Sequence, residues 1–439
     1  MKPSLGYAGQ QLEPDLRRAN WIGTVAPPPP TMTPELTFLI ERAIEGPIGS
    51  PPLRCLVGPG TRIAVLFDDG SRPTPVRQIF PVVERALLQA GVKPEHIHPF
   101  HAPGLHRLPA HYLEAKAECL LAHPNVASHD YQNSHTVFRG VTSRGTPVFV
   151  NDIVDRVDLV ASIGNITPHM DAGYGGGAKI ILPGICAKPT VEQNHSYFTS
   201  PMSRMRIVQG NPVREDMDEA GRLAGLGFIV NTVLDAHGKV ADVVAGDAVV
   251  AHRRGVERKE EVCGYPLQEP ADIAVVASEA RWLSHAMGAM MLAELAVRPG
   301  GSIVLAAPCT EGWSPTDVLE AGITAPLDYL RLTQGELAWM VANRGAPEIR
   351  QSGAIFDYRR VMAEKHVYLA NERFSRADVE SFGMVWAGGI QEGYDAALER
   401  CGSGARVALF PQAGKMIPIV RHGQAHPVAA QQVAVRQGS

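Results

Sequence analysis

From Arg62 onward, short apolar runs alternate with longer amphipathic segments, and this alternation restricts the fold more than any other feature of the chain. Residues 63–67 read as a strand, 76–90 as a helix, 96–100 as a strand, 109–121 as a helix and 157–163 as a strand. Strands separated by helices pair in parallel, with the helices covering the sheet faces. The apolar run 228–234 continues this first series. A second series begins near Ala271, with strands at 273–277, 302–306, 366–370, 384–386 and 406–410. Helices are predicted at 284–297, 326–342 and 392–401. The fold class is therefore α/β, with two α/β domains of mostly parallel strands and an active-site cleft between them. Gly264-Tyr265-Pro266 interrupts the pattern, which puts the boundary at 270/271. Residues 1–270 form an N-terminal domain, 271–410 a Rossmann-like C-terminal domain, and 411–439 a tail returning to the first domain. Residues 1–60, with prolines at 27–30 and one helical stretch at 34–45, read as an arm packed on the N-terminal domain.

Composition removes several function classes. The 41 basic and 45 acidic side chains carry no cationic run, which argues against a nucleic-acid surface. No apolar stretch reaches the ~18 residues of a membrane span. The start, Met1-Lys2-Pro3-Ser4, leads into polar sequence, so a cytoplasmic location is expected. Cysteines at 55, 119, 186, 263, 309 and 401 form no CxxC pair, and read as reduced thiols rather than a zinc or disulfide framework.

Three segments at strand carboxyl ends carry the chemistry, since ligands in open α/β sheets bind there. The first is Asp68-Asp69-Gly70-Ser71-Arg72-Pro73-Thr74-Pro75, a strand-to-helix turn in which Arg72 suits a carboxylate or phosphate. The second holds His96, His98, His101 and His106; His96 and His98 share a strand face, and His106 follows Gly104 in a loop. Each histidine alone reads as an ordinary polar residue. The third, His169-Met170-Asp171-Ala172-Gly173-Tyr174-Gly175-Gly176-Gly177-Ala178-Lys179, is the most specific. Its glycines imply a tight bend or a close ligand, yet Ala178 and Ile180 exclude a Walker A loop. Asn194-His195 follows. Two histidines for proton transfer, a lysine able to bond a carbonyl or carboxyl carbon, and an arginine clamp describe a site for an anionic small molecule.

At these residues the chain resembles the nickel-pincer-nucleotide-dependent lactate racemase family of 2-hydroxyacid racemases and epimerases. The matching features are Pro47-Ile48-Gly49-Ser50-Pro51-Pro52-Leu53, Asp69-x-Ser71-Arg72-Pro73-Thr74-Pro75, Gly104-Leu105-His106-Arg107, the glycine segment through Lys179, Pro183-Gly184 and Thr190-Val191-x-x-Asn194-His195. The resemblance implies inversion at C2 of a 2-hydroxy acid by hydride transfer through a 2-keto acid. It implies a cofactor, pyridinium-3-thioamide-5-thiocarboxylic acid mononucleotide carrying nickel, covalently attached to Lys179, with His195 as a nickel ligand. His106 and His169 would be the acid/base pair and Arg72 the carboxylate clamp, while Asp69, Ser71, Gly175, Gly176 and Gly177 would line the cofactor. Host proteins that mature the cofactor are implied partners, beside the 2-hydroxy acid itself.

The chain departs from the family at the substrate wall. Leu105 stands where Thr is more usual, and Ser284-His285-Ala286-Met287-Gly288 where the lactate enzymes carry Tyr-Gln-x-x-Lys. Leu105, Ser284, His285 and Gly288 are thus candidate pocket residues for an acid larger than lactate. Two other readings stand beside this one: a metal-dependent hydrolase or lyase using His96, His98 and His101, and a non-catalytic nucleotide or anion binder at the glycine turn.

Overall fold

The computed structural model describes residues 4–7, 9–16, 20–30, 32–106, 110–313, 326–343 and 349–420. The chain divides into two compact units, residues 30–262 and residues 1–29 with 263–439.

In the first unit six strands lie in the order Val240–Gly246, Leu226–Leu234, Leu159–Ile166, Ile63–Asp68, Ile97–Ala102, Ala127–Ser128. All pairs are parallel except the outer Leu226–Leu234 and Val240–Gly246 pair. Ile63–Asp68 lies inside the sheet with Val65 opposite both Ala161 and Pro99, and its near-continuous apolar sequence fits a strand covered on both faces. Its side chains alternate between two cores. Ile63, Val65 and Phe67 join Leu39, Ile79 and Val83 from the helices Leu36–Glu45 and Val76–Gln89. Ala64 and Leu66 join Ile181, Ile185 and Met217 on the other face. The carboxyl ends of the three inner strands therefore sit on a rigid base.

The second unit is a parallel sheet in the order Val385–Ala387, His366–Ala370, Val297–Ala306, Ala271–Ala277, Arg406–Phe410, Asn20–Thr24. Its five expected strands are all present, 366–370 and 406–410 with the expected bounds and the other three with ends shifted by one to five residues. Among the described residues no helix is long and apolar enough to cross a membrane.

The structure corrects several expectations. The arm does not belong wholly to the first unit, because Asn20–Thr24 hydrogen-bonds beside Arg406–Phe410 as an edge strand of the second sheet. The tail does not return to the first unit either: Ile417–Val420 pairs with Gly264–Leu267, both in the second unit. Residues 421–439 of that tail lie outside the described residues, as do 107–109, the last of which begins one expected helix. The unit boundary falls at 262/263, at the end of the helix Val250–Cys263, rather than at 270/271. His96 sits in a 3-10 turn, Pro94–His96, before the strand starts, so it shares no strand face with His98. An unforeseen hairpin, Thr136–Val141 with Pro147–Asn151, stands between the third and fourth strands in chain order.

Candidate active site

The turn after Ile63–Asp68 is built around Asp69, which is 5% exposed. One carboxylate oxygen accepts the Ser71 backbone N–H at 2.7 Å and the Ser71 hydroxyl. The other lies 2.9 Å from His106 Nδ1. Burial alone would raise the Asp69 pKa, but His106, Arg72 and Ser71 together hold it well below the usual carboxylate range. Asp69 is therefore an anion, and an anion accepts hydrogen bonds only. Beneath it the buried Lys116, from the helix Ala110–Leu121, donates to the carbonyls of Asp69 at 2.6 Å and Arg72 at 3.0 Å and pairs with Asp68. Thr74 closes the turn on Asp68 at 2.5 Å.

The His106 loop follows Ile97–Ala102. Gly104 has φ +63, a backbone region that favours glycine, and its N–H donates to Gly184 O at 2.9 Å. A Cβ there would meet Pro183 at van der Waals distance, 3.4 Å, so the positive φ rather than space is what calls for glycine. The loop is thereby tied to the segment that follows Lys179. Leu105, the candidate pocket residue in this loop, is 5% exposed and lies in the apolar core with Leu66 and Ile181. Arg107 lies outside the described residues.

The third loop follows Leu159–Ile166. His169 Nδ1 accepts the backbone N–H groups of Asp171 and Ala172, each at 3.3 Å. Burial, with Lys179, Arg72, His195 and Arg214 around it, drives the His169 pKa well below its ordinary value. Lys179 stands in a 3-10 turn, Gly177–Ile180, and retains some surface. Burial, then Arg72 and Arg214, pull its amine down to about 7 against the opposing carboxylates of Asp171 and Asp69. These mutual influences bring Asp69, Arg72, His106, His169, Lys179 and His195 into one neighbourhood. His195, 8% exposed, ends the helix Lys188–His195.

The glycines are explained by the protein's own atoms. A Cβ at Gly173 would sit 2.1 Å from Ile207 O, at Gly176 2.7 Å from Asn231 Oδ1, and at Gly177 2.9 Å from the His252 ring. The scaffold behind them was not evident from sequence. Arg214 is fully buried and donates to the carbonyls of Ala172 at 3.2 Å, Gly176 at 3.2 Å and Tyr174. Asn231 accepts the Gly177 N–H at 2.8 Å, and His252 Nε2 binds Gly175 O at 2.9 Å. Asn211-Pro212 does mark the start of the helix Pro212–Leu223, because the Asn211 side chain caps the Arg214 N–H at 3.2 Å. Nothing in the sequence says that Arg214 turns inward.

Other candidates are placed elsewhere. Ser284, His285 and Gly288 lie on the helix Leu283–Glu294 of the second unit, and a Cβ at Gly288 would meet open space. His285 is exposed and Ser284 half-buried. His101 packs its ring on Phe67 and reaches Ser128 at 3.0 Å, and burial takes it down to about 4. Among the described residues no three His, Cys, Asp or Glu side chains are grouped to hold a metal, which leaves the hydrolase reading of His96, His98 and His101 without a centre.

Comparison with known proteins adds a family. A model described as the lactate racemase N-terminal domain matches residues 7–206. The lactate racemase of Thermoanaerobacterium thermosaccharolyticum is 30% identical over 283 residues, covering 62% of this chain and 66% of that protein, just short of two thirds of its length. The lactate racemase of Lactiplantibacillus plantarum is 28% identical over 385 residues, covering 85% and 88%. The lactate racemase apoprotein structure from the former organism superposes with a TM-score of 0.83 at 24% identity, covering 95% of this chain and all of that one. A Thermotoga maritima protein gives a TM-score of 0.61 at 17% identity, over 82% and 94%.

Proposed function

We propose that this chain, which belongs to the lactate racemase family, is an isomerase that inverts C2 of a 2-hydroxy acid through a 2-keto acid. The observation that carries the reading is the meeting of an Asp69-buttressed His106, His169, Arg72 and a lysine lowered to about 7 above one sheet. Arg72 binds the substrate carboxylate with its planar fork. His106 and His169 serve the hydroxyl oxygen. The binder reading needs the glycine turn and Arg72 but leaves the Asp69–His106 pair without a purpose.

The family's cofactor, a nickel-pincer nucleotide, fits the residues present. An amine near 7 is substantially uncharged at neutral pH, as covalent attachment through Lys179 Nζ requires. His195 offers a buried imidazole, a donor that suits nickel. When bound, the cofactor supplies a hydride acceptor, a reaction no protein side chain performs. Asp69, Ser71 and Gly175 to Gly177 then line it. The protein holds the acid by its carboxylate and keeps a proton acceptor at its oxygen. The maturation proteins of the host would load the site, and a cytoplasmic location is consistent with that supply.

The test is intact-mass analysis of protein produced with the maturation proteins, together with chiral chromatography of single-enantiomer 2-hydroxy acids. The expected result is a mass increase confined to Lys179, lost in Lys179→Ala and kept in His195→Ala, with inversion of configuration in the wild type. Loaded protein that inverts no 2-hydroxy acid would overturn the proposal.

A further inference from the structure

His106 and His169 are held by opposite kinds of partner. His106 Nδ1 lies 2.9 Å from Asp69 Oδ2, and the other oxygen of that carboxylate already accepts twice from Ser71. An ionised carboxylate has no proton to give, so the hydrogen in this contact sits on His106 Nδ1. In the neutral ring Nε2 is then a lone pair. His169 is the reverse. Its Nδ1 faces two backbone donors, the N–H groups of Asp171 and Ala172, at 3.3 Å each. A nitrogen that accepts from two donors carries no hydrogen, so the neutral ring bears it on Nε2. A second proton on His169 would set an Nδ1–H against both backbone N–H groups. It would also add a cation beside Lys179, Arg72 and Arg214.

We infer that the two histidines are not interchangeable: His106 carries the mobile proton, and His169 is a fixed Nε2–H donor to the substrate oxygen. The inference rests on the racemase reading. In the forward step the hydroxyl proton moves to His106 Nε2, giving an imidazolium whose Nδ1–H remains on Asp69. The C2 hydrogen leaves with its electron pair to the hydride acceptor, so the substrate is oxidised by two electrons and the acceptor is reduced by two. The C=O formed takes a hydrogen bond from His169, which keeps its proton throughout. For inversion the planar keto acid first turns its opposite face toward the hydride; the hydride then returns to that face of C2, and the same proton comes back to the oxygen from His106. Asp69 acts through His106 as a positioning residue, fixing which nitrogen faces the substrate. A symmetric pair would instead need His169 Nε2 to be a base, and its two backbone donors oppose that tautomer.

Ring ¹⁵N–¹H correlation spectra of the purified full chain read the tautomers directly, with His106→Gln and His169→Gln spectra giving the assignments. The expected result at neutral pH is a hydrogen on Nδ1 of His106 and on Nε2 of His169. An imidazolium or an Nδ1–H at His169 would overturn the inference. The second arm uses cofactor-loaded enzyme. The Gln amide in His169→Gln replaces the Nε2–H donor and should cost only ~10-fold in kcat/KM, as for one weakened hydrogen bond. His106→Gln should cost ~10²–10⁴-fold, as for a lost proton carrier. Equal losses in the two variants would refute the division of roles. A loaded wild type that inverts nothing while showing both tautomers would sink the racemase reading and the proton-carrier role together. Reversed tautomers in an active wild type would sink the inference alone.

Discussion

Replacing Arg214 by Met should loosen the floor under His169 and Lys179. The fully buried guanidinium satisfies three carbonyls, those of Ala172, Tyr174 and Gly176, within the glycine segment. The Ala172 carbonyl keeps the Tyr174 N–H and the Gly176 carbonyl keeps the Lys179 N–H, so the loss is ~0.5–1.5 kcal/mol at each of these and ~1–3 kcal/mol at the Tyr174 carbonyl, about 2–6 kcal/mol gross. Removing a buried charge returns part of that, because taking a guanidinium out of water costs several kcal/mol. Asp218 keeps its second partner, Arg253, and adds little. The net destabilisation is about 2–4 kcal/mol. For a unit of this size ~2–4 °C accompanies each kcal/mol, so the melting temperature should fall by ~4–16 °C. Thermal unfolding followed by circular dichroism measures this. The same variant removes one of the two cations that depress Lys179, so the amine should titrate above the wild type's value of about 7. A melt within ~2 °C of wild type, with Lys179 titrating unchanged, would refute the view that Arg214 holds the loop.

Asp69→Asn should lower kcat/KM by ~10–150-fold, the equivalent of the ~1.5–3 kcal/mol of one charge-assisted hydrogen bond, with KM little changed; steady-state kinetics on loaded enzyme checks it. Since the Lys179 pKa is lowered to about 7, its uncharged form predominates above that pH, and acetylation of the unloaded protein should reach half its limiting rate near pH 7, as peptide mass mapping over pH 5–10 would show. Since Gly288 stands where the lactate enzymes carry the Lys of Tyr-Gln-x-x-Lys, acids with larger side chains should turn over faster than lactate in a panel resolved by chiral chromatography; lactate outrunning all of them would remove Gly288 from the argument.

Much of the architecture was legible because apolar runs and helix periods mark a parallel sheet wherever they fall. The strands 366–370 and 406–410 coincide with the observed ones, and Ile63–Asp68 is longer by one residue. The missed elements lack that signature. Asn20–Thr24 is largely exposed, being an edge strand, and its sequence gives no sign that it pairs with the far end of the chain. The hairpin at Thr136–Val141 leaves Phe138 and Val141 exposed, so no alternation announces it. At the site, Arg72, His106, His169 and Lys179 follow from residue chemistry and Asp69 and His195 from the family resemblance, and all six lie in one neighbourhood. Lys116, Arg214, Asn231 and His252 escaped notice because each acts on backbone carbonyls or N–H groups. Sequence shows which side chains have chemistry to offer, whereas a backbone partner is decided by where the chain passes. The glycines gave a signal whose cause was the close approach of Ile207, Asn231 and His252.

The edge strand Asn20–Thr24 also sets an order of events during synthesis. Its partner, Arg406–Phe410, is made about 380 residues later. At ~5–20 residues per second, the earlier strand waits ~20–80 s for the neighbour that satisfies its backbone. Throughout that wait its N–H and C=O groups are open to other nascent chains, a hazard of any unpaired edge. The intervening 30–262 unit is complete by then and can fold as a body of its own. Closing the second sheet thus comes after the 30–262 unit has been made. A ribosome stalled before residue 406 would hold a finished 30–262 unit joined to an unfinished sheet.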